Sequence, residues 1–192
     1  MTTPNLPDIS VITATYNRPK WLKNCCEQLR AQTLGNVTYE HVIVSDGPDK
    51  RASQIAQKYG ARFHALNRKW GRSGSACRDF ALKLATGRQV VFFDDDNIYA
   101  PHALVTLLAS AQGVDIGICQ TIHKGSAIPT LARETFQLGN IDSMCFCVNA
   151  RIARKSKWRV ANKATDWAYL QGLLKHNPTF RLTPIVIGEH LT

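Results

Sequence analysis

Three acidic residues directly follow an apolar run near the middle of the chain. Asp94, Asp95 and Asp96 come after residues 90–93, Val-Val-Phe-Phe, which predict a buried strand. Carboxylates at this density repel one another and attract a cation, and their hard oxygen atoms suit Mg²⁺ or Mn²⁺. A metal held there would neutralise a departing diphosphate. The alternative is a solvated acidic turn before a helix that Pro101 opens.

Three further residues could take part in chemistry of this kind. Asp46 follows the apolar residues 42–44, and it either accepts hydrogen bonds from a nucleobase or ribose or belongs to an ordinary turn. Asp166 falls in the first turn of a predicted helix. It either caps that helix or acts as a general base for an acceptor hydroxyl. His190, near the end of the sequence, is either a surface residue or a metal ligand.

A basic segment is suited to phosphate. Residues 68–75, Arg-Lys-Trp-Gly-Arg-Ser-Gly-Ser, precede a predicted helix that carries Arg78. Glycine and serine near a helix start, with Arg and Lys around them, can hold phosphate through backbone N–H groups and charge. The segment lacks the spacing of a Walker P-loop, and no Gly-x-Gly-x-x-Gly fingerprint follows the first predicted strand. Both of these nucleotide-binding classes are therefore disfavoured.

The elements that must position these residues alternate between strand and helix. Four segments predict strands, at residues 9–14, 39–44, 61–66 and 90–93, and the first and last of them are apolar runs. Such alternation favours an α/β fold with a mainly parallel sheet flanked by helices. Polar clusters follow at residues 15–18, 45–48 and 94–97. Because the carboxyl ends of parallel strands share one edge, where ligands bind, the three clusters predict a single site.

The remaining elements are less regular. The helix that carries Arg78 is predicted to end at Gly87 and to bury Ala76, Phe80, Ala81 and Leu84. Pro101 is expected to open the next helix, since proline is tolerated in a first turn. Later strands are predicted at residues 116–120, 141–148 and 183–188, with a helix at 166–176.

Composition limits the class of protein. The 192 residues are 44% hydrophobic and 20% charged, which is typical of one soluble globular domain. The net charge of +10 favours an anionic partner: a nucleotide, nucleic acid, a phosphorylated glycan or an acidic membrane surface. The six cysteines form no Cys-x-x-Cys pair and are interpreted as small apolar residues in a reducing compartment. Since no signal peptide or transmembrane segment is apparent, the expected location is the cytoplasm.

Four segments carry a resemblance to a known family. They are residues 9–19, ending Ala-Thr-Tyr-Asn-Arg-Pro, residues 41–47, His-Val-Ile-Val-Ser-Asp-Gly, residues 75–79, Ser-Ala-Cys-Arg-Asp, and residues 85–97, from Ala-Thr-Gly to Asp-Asp-Asp-Asn. Their order and spacing resemble the inverting nucleotide-diphospho-sugar glycosyltransferases of family two, which have the GT-A fold. The resemblance covers residues 9–108, and Thr165-Asp166-Trp167 is similar to the family's later Glu-Asp-Trp motif. Ala14, Ser45 and Thr165 stand where the family usually has Pro, Asp and Glu.

The resemblance implies how the nucleotide would be bound. Ala14 and Tyr16 would line the nucleobase pocket, and Asp46 would hydrogen-bond the base. Arg78 would lie beside the base or the diphosphate. These four positions would therefore form the nucleotide end of the donor site.

The resemblance also implies the reacting end of the site. Asp94 and Asp95 would lie near the ribose and the sugar, and Asp96 would be the ligand of bound Mn²⁺ or Mg²⁺. His190 is the second candidate metal ligand. Asp166 would take the proton of the acceptor hydroxyl in a single displacement, which inverts the anomeric centre.

The favoured hypothesis is a metal-dependent inverting glycosyltransferase that uses a nucleotide-sugar donor, with a UDP-sugar preferred. Residues 9–108 would bind the donor, and residues 109–192 would supply the acceptor site and the base, within one domain spanning 1–192. A nucleotidyltransferase on a similar sheet stays open, as does a nucleic-acid-binding module that uses the basic stretch 151–163. The acceptor is unknown; an anionic glycan, a lipid-linked glycan and a modified nucleic acid are all compatible with the charge.

Overall fold

The computed structural model describes residues 6–71, 73–130, 140–158 and 165–191. The strands are β1 (Ile9–Thr15), β2 (Tyr39–Ser45), β3 (Arg62–Ala65), β4 (Gln89–Phe92), β5 (Ile98–Tyr99), β6 (Ile116–His123), β7 (Ser126–Ile128), β8 (Phe146–Asn149) and β9 (Phe180–His190). The helices are α1 (Pro19–Arg30), α2 (Lys50–Tyr59), α3 (Ser75–Leu84), α4 (Ala103–Ser110), α5 (Ala150–Ala153) and α6 (Thr165–Leu174), and Ser143–Cys145 form a 3-10 turn. Together they build a single α/β domain around one sheet.

The first half of the sheet is parallel. Its strands lie in the order β3-β2-β1-β4, and each neighbouring pair is parallel. The register of β1 on β2 runs from Ile9 opposite Tyr39 to Thr15 opposite Ser45. Strands β1 and β4 are almost entirely buried, as expected of parallel strands covered on both faces. The predicted parallel sheet is confirmed, and the loops after β1, β2 and β4 leave it at the same edge.

The second half of the sheet is mixed. Strand β8 joins the two halves, because it pairs antiparallel with both β4 and β6. Strand β9 then runs parallel to β6, while β5 pairs antiparallel with β9, and β7 with β6. The longest ladders are parallel, so the predicted class of an α/β fold with a mainly parallel sheet is confirmed. The antiparallel pairs are additions that strand–helix alternation does not predict.

Several predicted boundaries in this half are wrong. Residues 141–148 do not form one strand, because the 3-10 turn at Ser143–Cys145 precedes β8. The last strand is longer than 183–188, since its pairing with β6 extends it in both directions. Strands β5 and β7 were not predicted, because strands of two and three residues are too short for a periodic pattern. Helix α4 begins at Ala103 rather than at Pro101.

Helix α3 buries a different face from the predicted one. Of the four residues expected inside, only Ala81 is fully buried. The buried residues are Ser75, Cys77, Arg78, Ala81 and Leu82. The helix is rotated in this way because Arg78 turns inward to pair with Asp94. It ends at Leu84, and Gly87 lies further on, where a Cβ would come within 2.5 Å of the Ser10 backbone nitrogen.

An aromatic cluster joins α6 to β4. The ring centroid of Phe92 lies 4.9 Å from that of Trp158 and 5.7 Å from that of Tyr169, and the last two rings stack at 4.3 Å. The Tyr169 hydroxyl donates to the carbonyl of Ala153 at 2.9 Å. These contacts hold α6, with Asp166 in its first turn, against the end of β4.

All six cysteines lie in the interior of the domain. All six are buried as free thiols, in agreement with their interpretation as small apolar residues. Burial raises the pKa of the Cys26 thiol to about 12, so it stays protonated at neutral pH. In the part of the chain that the structure describes, none of the helices has the length and apolar character needed to cross a membrane.

Candidate functional site

The loops that follow β1 and β4 meet at the carboxyl edge of the sheet. Thr15 Oγ1 donates to Asp95 Oδ2 at 2.7 Å, and Arg18 Nη1 donates to Asp95 Oδ1 at 3.1 Å. The same guanidinium of Arg18 pairs with Asp96. Burial raises the pKa of the Asp95 carboxyl to about 6, although Thr15 and Arg18 act in the opposite direction. Two of the acidic residues are thus held by one basic residue of the neighbouring loop.

Arg78 lies at the centre of the site. Its buried guanidinium pairs with Asp94, and its Nη1 donates to the carbonyl of Ser73 at 2.7 Å. The guanidinium carbon is 4.7 Å from the ring centroid of Trp158, a cation–π distance. Burial opposes the charge of Arg78, but nearby carboxylates, Asp94 first among them, raise its pKa above the usual value. The other oxygen of Asp94 accepts from Ser143 Oγ at 3.1 Å, so the second half of the chain reaches the same point.

Asp46 holds the basic segment against the end of β2. Its Oδ1 accepts from the Trp70 N–H at 2.8 Å, and its Oδ2 accepts from the Gly71 N–H at 2.7 Å. Gly71 has a φ of 69°, a conformation that favours glycine. Both oxygens of the buried carboxylate therefore have backbone partners. The sequence suggested a nucleobase contact or an ordinary turn, and this clamp across 24 residues was missed because it depends on tertiary structure.

Ala14 and Tyr16 lie beside the same segment. The Nζ atom of Lys69 is 4.3 Å from the ring centroid of the exposed Tyr16. Ala14, near the end of β1, is half-buried. Gly74 approaches it so closely that a Cβ added at Gly74 would lie 2.9 Å from the Cβ of Ala14. The structure therefore brings residues of β1, its following loop and the start of α3 together next to Arg78.

Asp166 approaches this centre from the second half. Burial, followed by the charge of Asp142, raises the pKa of the half-buried Asp166 carboxyl to about 7. Arg78 lowers it, and Asp94 raises it further, so all these groups lie within electrostatic reach of one another. A carboxylate whose pKa lies near the working pH is suited to general base catalysis.

Asp142 is a site residue that sequence reasoning missed. Its Oδ1 accepts from the Met144 N–H at 2.9 Å and so caps the 3-10 turn, while its Oδ2 lies 3.3 Å from His190 Nδ1. The His190 ring stacks on that of His123, with centroids 4.7 Å apart. Burial, and then the charge of Asp94, raise the pKa of Asp142 to about 7. In the sequence, Asp142 is marked only by its place shortly before an apolar run. Acidic residues are common at such places because they often belong to turns.

The acidic residues offer hard oxygen donors for a divalent cation. Among the described residues, no group of three or more His, Cys, Asp or Glu side chains is arranged to hold a metal ion. Mg²⁺ and Mn²⁺ commonly keep waters and use one or two carboxylates together with substrate phosphates, so a ready-made cage is not required. Asp96 has the suitable position: its side chain is 20% exposed and neutralised by Arg18, at the edge where the loops meet. The residues present therefore fit a cation that arrives with a diphosphate.

Comparisons with known proteins give the same fold. The chain is 32% identical over 110 residues to an uncharacterized glycosyltransferase of Bacillus subtilis, EpsJ, covering 56% of this chain and 31% of EpsJ. It superposes on S. aureus TarS 1–349 in complex with UDP-GlcNAc with a TM-score of 0.77, at 20% identity, over 96% of this chain and 58% of TarS. For the mannosyltransferase PcManGT from Pyrobaculum calidifontis, in complex with GDP-Man and Mn²⁺, the TM-score is 0.70 at 14% identity, over 97% and 57% of the two chains.

The extent of these matches differs between structure and sequence. The chain spans about a third of the length of the curated relatives it matches. At 14–20% identity, the structural similarity establishes the GT-A-like fold. The sequence model described as "Glycosyl transferase family 2" matches residues 10–169, most of the chain, from β1 into α6. The protein therefore belongs to glycosyl transferase family 2.

Proposed function

We propose that this chain transfers a sugar from a nucleotide-diphospho-sugar to an acceptor hydroxyl, with inversion at the anomeric carbon. The observation that carries the proposal is the convergence of Asp94 and Asp166 on the buried Arg78, one carboxylate from each half of the chain. A UDP-sugar is the preferred donor, in line with the similar TarS structure, which is in complex with UDP-GlcNAc. Family membership favours this function over a nucleotidyltransferase and over a nucleic-acid-binding module.

The donor is assigned to the first half of the chain, residues 9–108. Ala14 and Tyr16 would line the nucleobase pocket, beside the segment that Asp46 clamps. Asp46 would act on the base through that clamp, because it holds the Trp70 and Gly71 amides beside the pocket. Residues 109–192 would provide the acceptor side.

The sugar and diphosphate are assigned to the centre of the site. Arg78 would lie beside the diphosphate, where its permanent charge stabilises the leaving group, and Asp94 and Asp95 would orient the ribose and the sugar hydroxyls. Preorganised charge of this kind acts without reorganisation during the reaction.

Asp166 is assigned the role of general base. It would take the proton of the acceptor hydroxyl as that oxygen forms its bond to the anomeric carbon. On the opposite face the bond to the diphosphate oxygen breaks, and its electron pair leaves with the diphosphate. The raised pKa of Asp166 supports this role, because a base titrating near neutral pH combines availability with strength.

A divalent cation, Mn²⁺ or Mg²⁺, is assigned to Asp96, with His190 as the second candidate ligand. When bound, such a cation neutralises the negative charge that develops on the departing diphosphate. Arg18 pairs with Asp96 in this structure and would share that carboxylate with the cation. The Mn²⁺ in the PcManGT complex supports the use of a divalent cation.

The acceptor is the open part of this proposal. Of the basic stretch 151–163, Arg151, Arg154, Lys155 and Lys157 are described, while Arg159 and Lys163 lie outside the described residues. Arg154 donates to the carbonyls of Leu82 and Ala85, at 3.1 and 2.7 Å, so it packs the chain rather than facing a partner.

Calorimetric titration tests the donor site. We expect one of UDP, GDP, CDP and dTDP, with UDP preferred, to bind in the presence of Mn²⁺ and to lose most of its affinity in Asp96→Ala. Asp115→Ala is the matched control, because Asp115 lies at the opposite edge of the sheet, where its backbone carbonyl accepts from the Asn149 N–H and its carboxylate accepts from Thr179. If none of the four binds to folded protein with metal present, the donor site is wrongly assigned.

A further inference from the structure

Arg18 occupies a position in α1 that the helix itself does not favour. It is the N-cap residue, where Ser, Thr, Asp and Asn are preferred because their side chains accept from the first N–H groups. In α1, all of which the structure describes, the Arg18 side chain makes no such bond. A positive charge is also unfavourable at this end of the helix dipole, and the first turn, residues 19–21, carries no carboxylate. The stability of α1 therefore does not explain the arginine.

The arginine is explained by the acidic loop that follows β4. Arg18 Nη1 donates to Asp95 Oδ1 at 3.1 Å and also pairs with Asp96. Asp95 is buried and accepts from Thr15 as well, whereas the side chains of Asp96 and Arg18 are 20% and 48% exposed. The Asp95 end of this bridge is therefore fixed, and the Asp96 end lies where a dissolved ion can reach it.

One positive charge thus serves two carboxylates, and one of the two is the proposed cation ligand. A guanidinium and a divalent cation on the same carboxylate repel each other, so Arg18 opposes the binding of a cation to Asp96. A diphosphate that arrives with the cation offsets this repulsion, because its negative charges would lie next to both positive groups. Both bonds of Arg18 start at Nη1, so they leave Nη2 to donate to a phosphate oxygen.

We propose that Arg18 makes binding of the divalent cation conditional on the nucleotide diphosphate. While it pairs with Asp96, Arg18 disfavours Mn²⁺ or Mg²⁺ alone. When the nucleotide diphosphate binds, Arg18 keeps its bond to Asp95, yields Asp96 to the cation and pairs with the diphosphate. The inference rests on the proposed function, since it describes how the donor site fills. Because coupling between two ligands is reciprocal, the cation also strengthens nucleotide binding by the same factor.

Binding of Mn²⁺, followed by the EPR signal of the free ion, tests this inference without any turnover. In the wild type we expect weak binding of Mn²⁺ alone and much tighter binding with UDP. Arg18→Gln removes the charge but keeps an amide that can donate to Asp95. In this variant Mn²⁺ alone should bind about fivefold more tightly, because both repulsion and competition at the partly exposed Asp96 are lost. The strengthening of Mn²⁺ binding by UDP should shrink by at least about the same factor.

Three further variants show whether the effect comes from the charge of Arg18 and acts at Asp96. Arg88→Gln also removes an arginine from an exposed ion pair, with Asp8 at 2.8 Å, but before β4 at the opposite edge of the sheet, and should leave Mn²⁺ binding unchanged. Arg18→Lys keeps the charge, so Mn²⁺ alone should bind about as weakly as in the wild type. Arg18→Gln combined with Asp96→Ala should lose the gain. Thermal melting checks that each variant is folded.

The outcomes separate this inference from the proposed function. If Mn²⁺ alone binds Arg18→Gln no better than the wild type, or if Arg88→Gln gains as much, the inference is overturned, even where the wild type still binds UDP with Mn²⁺. An equal gain in Arg18→Lys also overturns it, because the charge is then not the cause. If Arg18→Gln gains Mn²⁺ affinity as expected but no nucleotide binds the wild type, the opposition of Arg18 to the cation is supported and the donor assignment fails.

Discussion

The two halves of the sheet are built in different ways and are assigned different parts of the proposed reaction. In the parallel half, β1 and β2 share a ladder of seven residue pairs, and each strand is linked to the next by a helix close to it in sequence. In the mixed half, β8 and β6 share only three pairs, and α6 is held by aromatic contacts to β4, more than 60 residues away. Under the proposed function, the first arrangement is the platform that would hold the nucleotide. The second brings Asp142, Asp166 and His190 to that platform from distant segments.

This difference indicates that binding and chemistry can be separated by mutation. Residues of the parallel half should govern donor affinity, and residues of the mixed half should govern turnover. Arg78 is the point of contact, because it belongs to α3 yet faces carboxylates from both halves.

The largest effect is expected for Asp166→Asn. The amide has the same shape but cannot take the acceptor's proton, so we expect turnover to fall by about 10²–10⁴-fold. UDP affinity should stay within twofold, because the donor is assigned to the other half. Initial rates at saturating donor, with calorimetry on the same preparation, provide the measurement.

Asp115→Asn is the matched control for this prediction. It also changes an acidic residue of the second half, but one that accepts from Thr179 on the surface, at 3.0 and 3.1 Å. Its turnover should be close to that of the wild type. A small loss of turnover in Asp166→Asn, or a loss of donor affinity as large as the loss of turnover, would contradict the separation.

A smaller effect is expected in the parallel half for Asp46→Asn. The amide nitrogen of asparagine would face a backbone N–H of the segment that the carboxylate clamps, leaving a buried donor unsatisfied at a cost of about 1–3 kcal/mol. We expect UDP affinity to fall about tenfold, with turnover at saturating donor little changed. Hydrogen exchange at the Trp70 and Gly71 amides should become faster.

Asp49→Asn is the control, because the asparagine Oδ1 can still accept from the Ala52 N–H and cap α2. The second bond of Asp49, from the Asn17 N–H at 3.2 Å, is exposed, so water can replace it. Exchange and affinity should both stay near the wild type in this variant. If Asp46→Asn loses affinity while the Trp70 and Gly71 amides exchange no faster, Asp46 contacts the base directly instead of through the loop.

The same contrast explains how far the sequence could predict the structure. In the parallel half, residues 42–44 and 90–93 are apolar, as expected of strands covered on both faces, so strands and their polar ends were recognisable from the pattern alone. In the mixed half, β5 and β7 depend on partners far away in sequence, and no local pattern marks them. The inward face of α3 was missed for a related reason. A helical pattern treats arginine as exposed, whereas Arg78 is buried because Asp94 compensates its charge.

Site residues follow the same division. Asp94, Asp95 and Asp96 were recognisable as candidates because three successive carboxylates at a strand end repel one another and need positively charged partners. Asp142 was not, since one acidic residue before a turn is ordinary. The clamp by Asp46 and the pairing of Arg18 with two carboxylates are tertiary contacts, which a single sequence does not encode in its spacing.

The smallest effect, and the most specific test of how the mixed half is assembled, is expected for Asp142→Asn. The asparagine Oδ1 can still accept from the Met144 N–H, so the 3-10 turn should persist. What is lost is a negative charge that raises the pKa of Asp166. A general base is active only when deprotonated, so kcat/KM should fall as the pH drops through the pKa of Asp166, near neutrality in the wild type.

Removing the charge of Asp142 should lower that pKa, and the acid limb of the pH profile should move to lower pH, with only a modest change at the optimum. The limb should stay above the range of an ordinary exposed carboxylate, because burial is the larger cause of the raised pKa and is unchanged by the substitution. The profile of kcat/KM between pH 5 and pH 9 measures this shift, with Asp115→Asn as the unshifted reference. An acid limb that stays in place would mean that the titrating base is not Asp166, and the mixed half would then hold the acceptor without supplying the chemistry.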